Sequence, residues 1–275
     1  MLPDRGESAG ESSVAEATPG LRVDDVSVSF EGLLALDGVT LAVEPGEVVG
    51  VIGPNGAGKT TLFNVICGFV RADSGTISWR GDTLESVRPH ELVRLGIART
   101  VQGVRLFPHM TALENVMVGG GHLHRANLLS ALLGLPRADR ADRALRDVAL
   151  DSLDRFGARD AADERADSLP YGVQKRVALA RALVAKPELL LLDEPAGGLG
   201  ADDLEELGEA IRELKGAMSV MLVEHRMDLV MSVCDRVAVL DSGKLIASGT
   251  PDEVRAEPAV LEAYLGSEEE ESADA

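Results

Sequence analysis

The stretch Gly53-Pro54-Asn55-Gly56-Ala57-Gly58-Lys59-Thr60-Thr61 constrains this chain more than any other. It fits G-x-x-x-x-G-K-[ST], the pattern of a phosphate-binding loop. Upstream, Glu47-Val48-Val49-Gly50-Val51-Ile52 is apolar and rich in β-branched residues, and reads as a buried strand. Downstream, Leu62-Phe63-Asn64-Val65-Ile66 continues as a helix. Strand, glycine loop and helix start form the setting the motif requires. Glycines let the backbone wrap round an anion, and the amides of the loop and helix N-terminus point at it. In such a loop Lys59 reaches the β- and γ-phosphates, the Thr60 hydroxyl holds Mg²⁺, and Thr61 adds a contact nearer the α-phosphate. A glycine-rich turn with a chance lysine is the plain alternative, and the groups that follow downstream speak against it.

Composition narrows the setting. A chain of 275 residues holds one large domain or two smaller ones. It is 45% hydrophobic but only 3% aromatic, so its core is built from Leu, Val, Ile and Ala. The net charge of -19 argues against a surface for duplex nucleic acid, which needs clustered Lys and Arg. The two cysteines, Cys67 and Cys234, form neither a metal-site spacing nor a disulfide framework, and a reducing cytosol suits them. There is no apolar run of about 18 residues to span a membrane. Asp4, Glu7 and Glu11 without an apolar stretch argue against a signal peptide.

Residues 1–20 are rich in Ser, Gly, Glu and Ala and read as a disordered tail. Strands are expected over Val23–Phe30, Leu34–Leu36 and Val39–Val43, an antiparallel group that precedes the phosphate loop, and a further strand over Thr76–Trp79. Phe30 can stack on a base or belong to the core. Pro89–Leu95 reads as a short helix ended by Gly96, and Ile97–Gln102 as a strand running into a loop. Thr111-Ala-Leu-Glu114 is a capping box opening a helix. His122 and His124 lie in a glycine-flanked loop with no third metal ligand near them in sequence. From Arg137 to Phe156 the chain is strongly helical, with Ala141, Leu145, Val148, Ser152 and Phe156 expected on one face. Asp139–Arg143, Asp142–Arg146 and Asp151–Arg155 form i,i+4 pairs on the solvated faces. Residues Thr111–Arg165 thus read as a helical insertion in a sheet-based fold. A further helix is expected from Val173 to Ala185, and others over Asp202–Lys215 and Met227–Val233. A hairpin follows at Val237–Leu240 and Leu245–Ser248. A last capping box, Thr250-Pro-Asp-Glu253, opens the final helix, and an acidic tail closes the chain.

Leu189–Leu192 and Val220–Val223 are unalternating apolar runs, the mark of parallel strands buried on both faces. Ligands of open α/β sheets bind at the carboxyl ends of such strands. Three strands deliver polar groups there: the phosphate loop after Ile52, Asp193-Glu194 after Leu192, and His225 after Val223. Asp193 is placed to hold Mg²⁺ with Thr60. Glu194, one residue beyond, can take a proton from water attacking the γ-phosphorus. His225 can hydrogen-bond the γ-phosphate. Gln102, in a loop after a strand, can contact Mg²⁺ or orient that water. Positioning and charge neutralisation are what phosphoryl transfer chiefly needs. Alone, a strand-end Asp-Glu can be only a helix cap and a lone His only structural; their shared order favours a nucleotide site.

This order resembles that of the ATP-binding subunits of ABC transporters, over roughly residues 21–266. The resemblance matches Phe30 to the adenine-stacking aromatic, Gly53–Thr61 to Walker A, Gln102 to the Q-loop glutamine, Leu189–Glu194 to Walker B with its catalytic glutamate, and His225 to the switch histidine. Finer features are similar to the branched-chain amino-acid importer branch: Phe30–Asp37, Arg99–Phe107, the long insertion, Leu169-Pro-Tyr-Gly172 and the ending Gly249–Gly266. Relatives for urea or amides and the lipopolysaccharide-export ATPase share much of this.

The resemblance implies an α/β fold: a P-loop NTPase core with a mainly parallel sheet, an N-terminal antiparallel β subdomain and an α-helical subdomain inserted at about 103–185, followed by an acidic tail at 267–275. It implies an ATPase using ATP and Mg²⁺, paired head to tail as a homodimer or a heterodimer. Its partners would be integral-membrane permease subunits that meet the helical insertion and the Gln102 loop. The chain would then be cytoplasmic, peripheral on the inner face of the plasma membrane, touching the membrane only through the permease and binding no nucleic acid. Two departures stand out. The family signature Leu-Ser-Gly-Gly-Gln is here Leu169-Pro170-Tyr171-Gly172-Val173; in the family this loop contacts the γ-phosphate bound by the opposite subunit, a contact the Tyr171 and Gly172 amides can still make. The loop after Walker B, usually ending in Asp or Asn, is Ala196-Gly-Gly-Leu-Gly200. These leave weak or regulatory hydrolysis as an alternative, beside an exporter or an importer of another solute.

Overall fold

The computed structural model describes residues 20–84, 87–100, 103–121 and 136–264. Gln102, the His122/His124 pair, most of the expected N-terminal tail and the acidic tail lie outside the described residues.

Two sheets share the molecule. The first has four strands in the order β2-β1-β4-β5: β1 (Leu21–Phe30), β2 (Leu33–Val43), β4 (Ser74–Trp79) and β5 (Asp82–Thr83). All of its pairings are antiparallel. A tight Glu31-Gly32 turn with φ 50 and 91 joins β1 to β2, as the right-handed twist of a two-residue hairpin requires. The sequence suggests two separate strands at 34–36 and 39–43, but the register continues through both, with shifts at β1. The two-residue β5 carries no sequence signal.

The second sheet has six strands in the order β10-β9-β3-β8-β7-β6. Here β3 is Val48–Ile52, β6 Ile97–Arg99, β7 Leu189–Asp193, β8 Ser219–Val223, β9 Arg236–Asp241 and β10 Lys244–Gly249. Five strands run parallel and β10 turns back antiparallel along β9. The strand expected over 97–102 stops at Arg99. Its neighbour β7 continues past that point, and Thr100 instead donates its amide to the Leu191 carbonyl at 2.9 Å.

The unalternating strands are buried throughout because each feeds two cores. Leu189, Leu191, Val49, Val51, Met221 and Val223 face the antiparallel sheet and helix α1 (Lys59–Ile66). Leu190, Leu192, Val48, Ile52, Val220 and Leu222 face the other way. That second side packs on the helical segment: α2 (Ala112–Gly119), α3 (Pro136–Arg155) and α4 (Tyr171–Leu183), and on α5 (Ala201–Leu214) and α6 (Met227–Val233). The last short helix, α7, spans Pro251–Ala256 and begins at the capping box formed by Thr250 and Glu253.

The buried stripe of α3 is shifted from the expected one. Leu145, Ala149, Ser152, Leu153 and Phe156 are buried, whereas Ala141 and Val148 are half-exposed. Ala149 and Leu153 continue the i+4 ridge from Leu145 against α2 and α4. Arg146 of this helix reaches Asp163 at 3.7 Å.

Candidate nucleotide site

Strand register brings the site together. Val51 pairs with Val223, and Val223 pairs with Asp193, so β3, β8 and β7 end side by side. The phosphate loop, His225 and the Asp193-Glu194 pair therefore emerge at one edge. Two backbone bonds continue the sheet there: Glu194 N–H donates to the Val223 carbonyl at 2.9 Å, and Glu224 N–H to the Val51 carbonyl at 3.4 Å.

The loop itself is a packing solution as well as a cradle. Gly53 has φ 148, and a Cβ there would lie 2.0 Å from the Leu240 carbonyl oxygen of β9. Only glycine fits. Lys59 opens α1 and is buried, with its ammonium donating to the carbonyls of Gly53 and Pro54, both at 2.7 Å. Burial lowers its pKa, and the nearby Glu194 carboxylate opposes that shift. Thr60 is exposed at the first turn and Thr61 half-exposed beside it, while Asn55, Gly56, Ala57 and Gly58 complete the loop.

His225 Nε2 lies 3.1 Å from Glu194 Oε1, so two side chains 31 residues apart meet above the loop. Asp193 is buried, and its Oδ2 accepts from the Arg99 guanidinium at 2.7 Å. Arg99 also donates to Asn64 Oδ1 at 2.8 Å and lies 5.6 Å from the ring centroids of both Phe63 and Phe69. Arg99, Lys175 and Glu224 are the residues the sequence reading missed. Their signals differ: Arg99 and Glu224 are charges at the ends of apolar strand segments, whereas Lys175 sits among polar residues on a helix and shows only by its spacing. Arg99 ends the strand Ile97-Ala98, Lys175 stands i-4 to the buried Leu179, and Glu224 follows five buried strand residues.

Phe30 is 47% exposed at the end of β1, which overturns its alternative as a core residue. Helix α4 starts at Tyr171, two residues before the expected Val173. Pro170 serves as its N-cap with extended backbone, and prolines favour helix starts because they give up only an amide that has no helical partner. Tyr171 and Gly172 thus sit in the first turn, where amides point out of the helix. Among the described residues no group of three His, Cys, Asp or Glu side chains could hold a metal. Asp193, whose Oδ2 is engaged by Arg99, and the exposed Thr60 hydroxyl are hard oxygen donors of the kind that suits a magnesium ion completed by phosphates and water.

The family model "ABC transporter" matches residues 36–197. The chain belongs to the ABC transporter family. A second model, "Branched-chain amino acid ATP-binding cassette transporter", matches residues 244–270. The cassette is 43% identical over 250 residues to the high-affinity branched-chain amino acid transport ATP-binding protein LivG of Escherichia coli K12, covering 90% of this chain and 98% of that protein. It is 40% identical to the corresponding protein BraF of Pseudomonas aeruginosa, over the same shares. In Archaeoglobus fulgidus a probable LivG is 35% identical over 254 residues, 91% of this chain and 97% of that one. A solved nucleotide-free ATP-binding cassette from an ABC transporter superimposes with a TM-score of 0.78 at 31% identity, covering 90% of this chain and 98% of that chain. A dimeric bacterial ABC transporter cassette superimposes with a TM-score of 0.71 at 25% identity, covering 84% and 98%. The α/β fold expected from the sequence is the fold of these cassettes. As an ABC ATP-binding cassette this chain is an ATPase of the transport class, and ATP is its nucleotide. No described helix is long and apolar enough to cross a membrane.

Proposed function

We propose that this cassette hydrolyses ATP to drive import of branched-chain or related amino acids through membrane permease subunits. The observation that carries this reading is the 43% identity to LivG along 98% of that protein. The C-terminal match at 244–270 to the branched-chain model supports the same solute class.

In this reading Phe30 stacks on the adenine, Gly53–Thr61 cradle the phosphates, and Lys59 leaves its loop carbonyls for the β- and γ-phosphate oxygens. Thr60 and Asp193, with Gln102, would hold Mg²⁺. When bound, that ion neutralises charge on the β- and γ-phosphates. Glu194 accepts the proton of the attacking water, and His225 orients Glu194 and bonds the γ-phosphate. Their 3.1 Å contact supports this pairing of roles. Tyr171 and Gly172 of a second cassette offer first-turn amides to the same γ-phosphate. That assignment fits the dimeric form of the solved relatives. The partner is a second copy or a paralogue.

A groove of about 380 Å³, lined by Phe69, Leu92, Val93, Arg99, Val118 and Glu194 among others, opens beside the helical segment. Phe69 and Val118 are exposed there. It is the natural seat for a cytoplasmic segment of the permease, which would hold the cassette peripherally at the inner face of the plasma membrane.

The test is ATP turnover by the cassette co-purified with its permease. Branched-chain amino acids should stimulate it above unrelated solutes, and Glu194→Gln should reduce it by about 100-fold or more. Stimulation by a different solute class alone would move the substrate assignment. Turnover of Glu194→Gln at the wild-type rate would remove Glu194 from its role.

A further inference from the structure

Glu194 has φ 47, a left-handed conformation that a residue with a side chain adopts only when its surroundings enforce it. Three groups do so. Its amide is tied to β8 through the Val223 carbonyl. Its carbonyl and that of Pro195 both accept from the Lys175 ammonium, at 2.9 and 3.1 Å. The next amide, Ala196 N–H, donates to Glu224 Oε1 at 2.6 Å. The other oxygen of Glu224 accepts from the amides of His225 and Arg226 at 2.9 and 3.2 Å. Lys175 is 8% exposed and Glu224 1%. These two buried, oppositely charged groups therefore grip the turn carrying Glu194 and the turn carrying His225.

Lys175 belongs to α4, the helix that the signature opens. One turn earlier on that helix stands Tyr171, with the Lys175 ammonium 5.8 Å from its ring centroid. The ring covers Gly198, where φ is 77 and a Cβ would lie 2.8 Å from Tyr171 Cε1. The aromatic in the signature and Gly198 in the loop after Walker B thus accommodate one another within a single subunit.

We propose that Lys175 is a positioning residue for hydrolysis. It ties the signature helix to the Glu194 turn, so that where the signature sits sets where the Glu194 carboxylate points. Glu224 closes the opposite side of the turn, and Tyr171 on Gly198 sets the depth of the helix. This inference rests on the reading of Glu194 as the base, and the experiment separates the two.

The full-length cassette with its permease is assayed for turnover and for nucleotide affinity. Lys175→Met should lower kcat roughly 10- to 100-fold, the scale expected for a misplaced catalytic group, while KM and Kd for ATP stay within about twofold. Lys175→Arg, whose guanidinium can still reach both carbonyls, should recover most of the lost kcat. Lys175→Met with wild-type kcat, with KM rising in step with the loss of kcat, or with no recovery in Lys175→Arg overturns the proposal. Should Lys175→Met fail to fold, as read by melting and gel filtration, Glu224→Gln carries the test. Its single carbonyl oxygen can serve only one side, so either the Ala196 amide or the His225 and Arg226 amides lose their acceptor, and it should show the same fall in kcat at constant KM. An unchanged kcat overturns the proposal. Glu194→Gln runs alongside: if it alone retains full turnover, the underlying role of Glu194 fails, whereas its loss of turnover beside a normal Lys175→Met refutes only the role of Lys175.

Discussion

At Gly53 a single missing side chain serves two purposes. The backbone must take φ 148 to enter the phosphate loop, and the Leu240 carbonyl occupies the place of a Cβ. Gly53→Ala should destabilise the cassette by about 1–3 kcal/mol and weaken nucleotide binding. Melting temperature and titration with a fluorescent ATP analogue check both, and an alanine variant with wild-type stability would mean that the loop and β9 are further apart. The cysteines supply a second prediction. Burial pushes Cys67 to about 11 and Cys234 to about 12, from an ordinary value of 9.0. The folded chain therefore holds both thiol protons to higher pH than the unfolded chain. The stability this contributes is complete below pH 9 and is lost as pH rises through the window from 9 toward 11 and 12. Urea midpoints should fall over that range, and less steeply in a Cys67→Ala/Cys234→Ala variant. Parallel curves would show that the thiols do not titrate as buried groups.

Among the elements, α2 shows how a short helix is anchored. Thr111 and Glu114 form its capping box. Asn115, fully buried, accepts from the Phe107 amide at 2.8 Å and donates to the carbonyls of Phe107, Met110 and Thr111. That one amide closes the loop that follows the Gln102 segment. Asn115→Ala should cost about 1–3 kcal/mol by leaving buried backbone groups unpaired. It should also weaken permease-stimulated turnover more than basal turnover, which a comparison with and without permease measures. Equal loss in both states would make Asn115 a stability residue only. Both capping boxes and the Gly96 cap were readable, because they depend on residues within four positions of each other. The buried stripe of α3 was readable in part: Leu145, Ser152 and Phe156 are buried as expected, whereas Ala149 and Leu153 were missed, because how far a stripe widens depends on where α2 and α4 lie.

Across the whole molecule, nucleotide binding should stabilise the fold. At 100 times its Kd, ATP should add about 2.7 kcal/mol through mass action, and Lys59→Ala should abolish most of that gain. Thermal melting with and without ATP reads it, and an undiminished gain in the variant would count against Lys59 in the loop. The sequence by itself determined the α/β class, the phosphate loop and the order of Asp193, Glu194 and His225, because these depend on local chemistry: glycine at sharp turns, unbroken apolar runs in parallel strands, polar groups at strand ends. Only the tertiary structure decided how those groups meet. The register of β3, β8 and β7 puts His225 3.1 Å from Glu194 across 31 residues. Arg99 finds Asp193 across 94 residues, and Lys175, on helix α4, finds the Glu194 carbonyl in the turn after β7. A buried charge announces only that it needs a partner. Which partner it takes is settled by the packing of elements distant in the chain, since the cost of leaving it unpaired is met wherever the fold brings an opposite charge or a carbonyl.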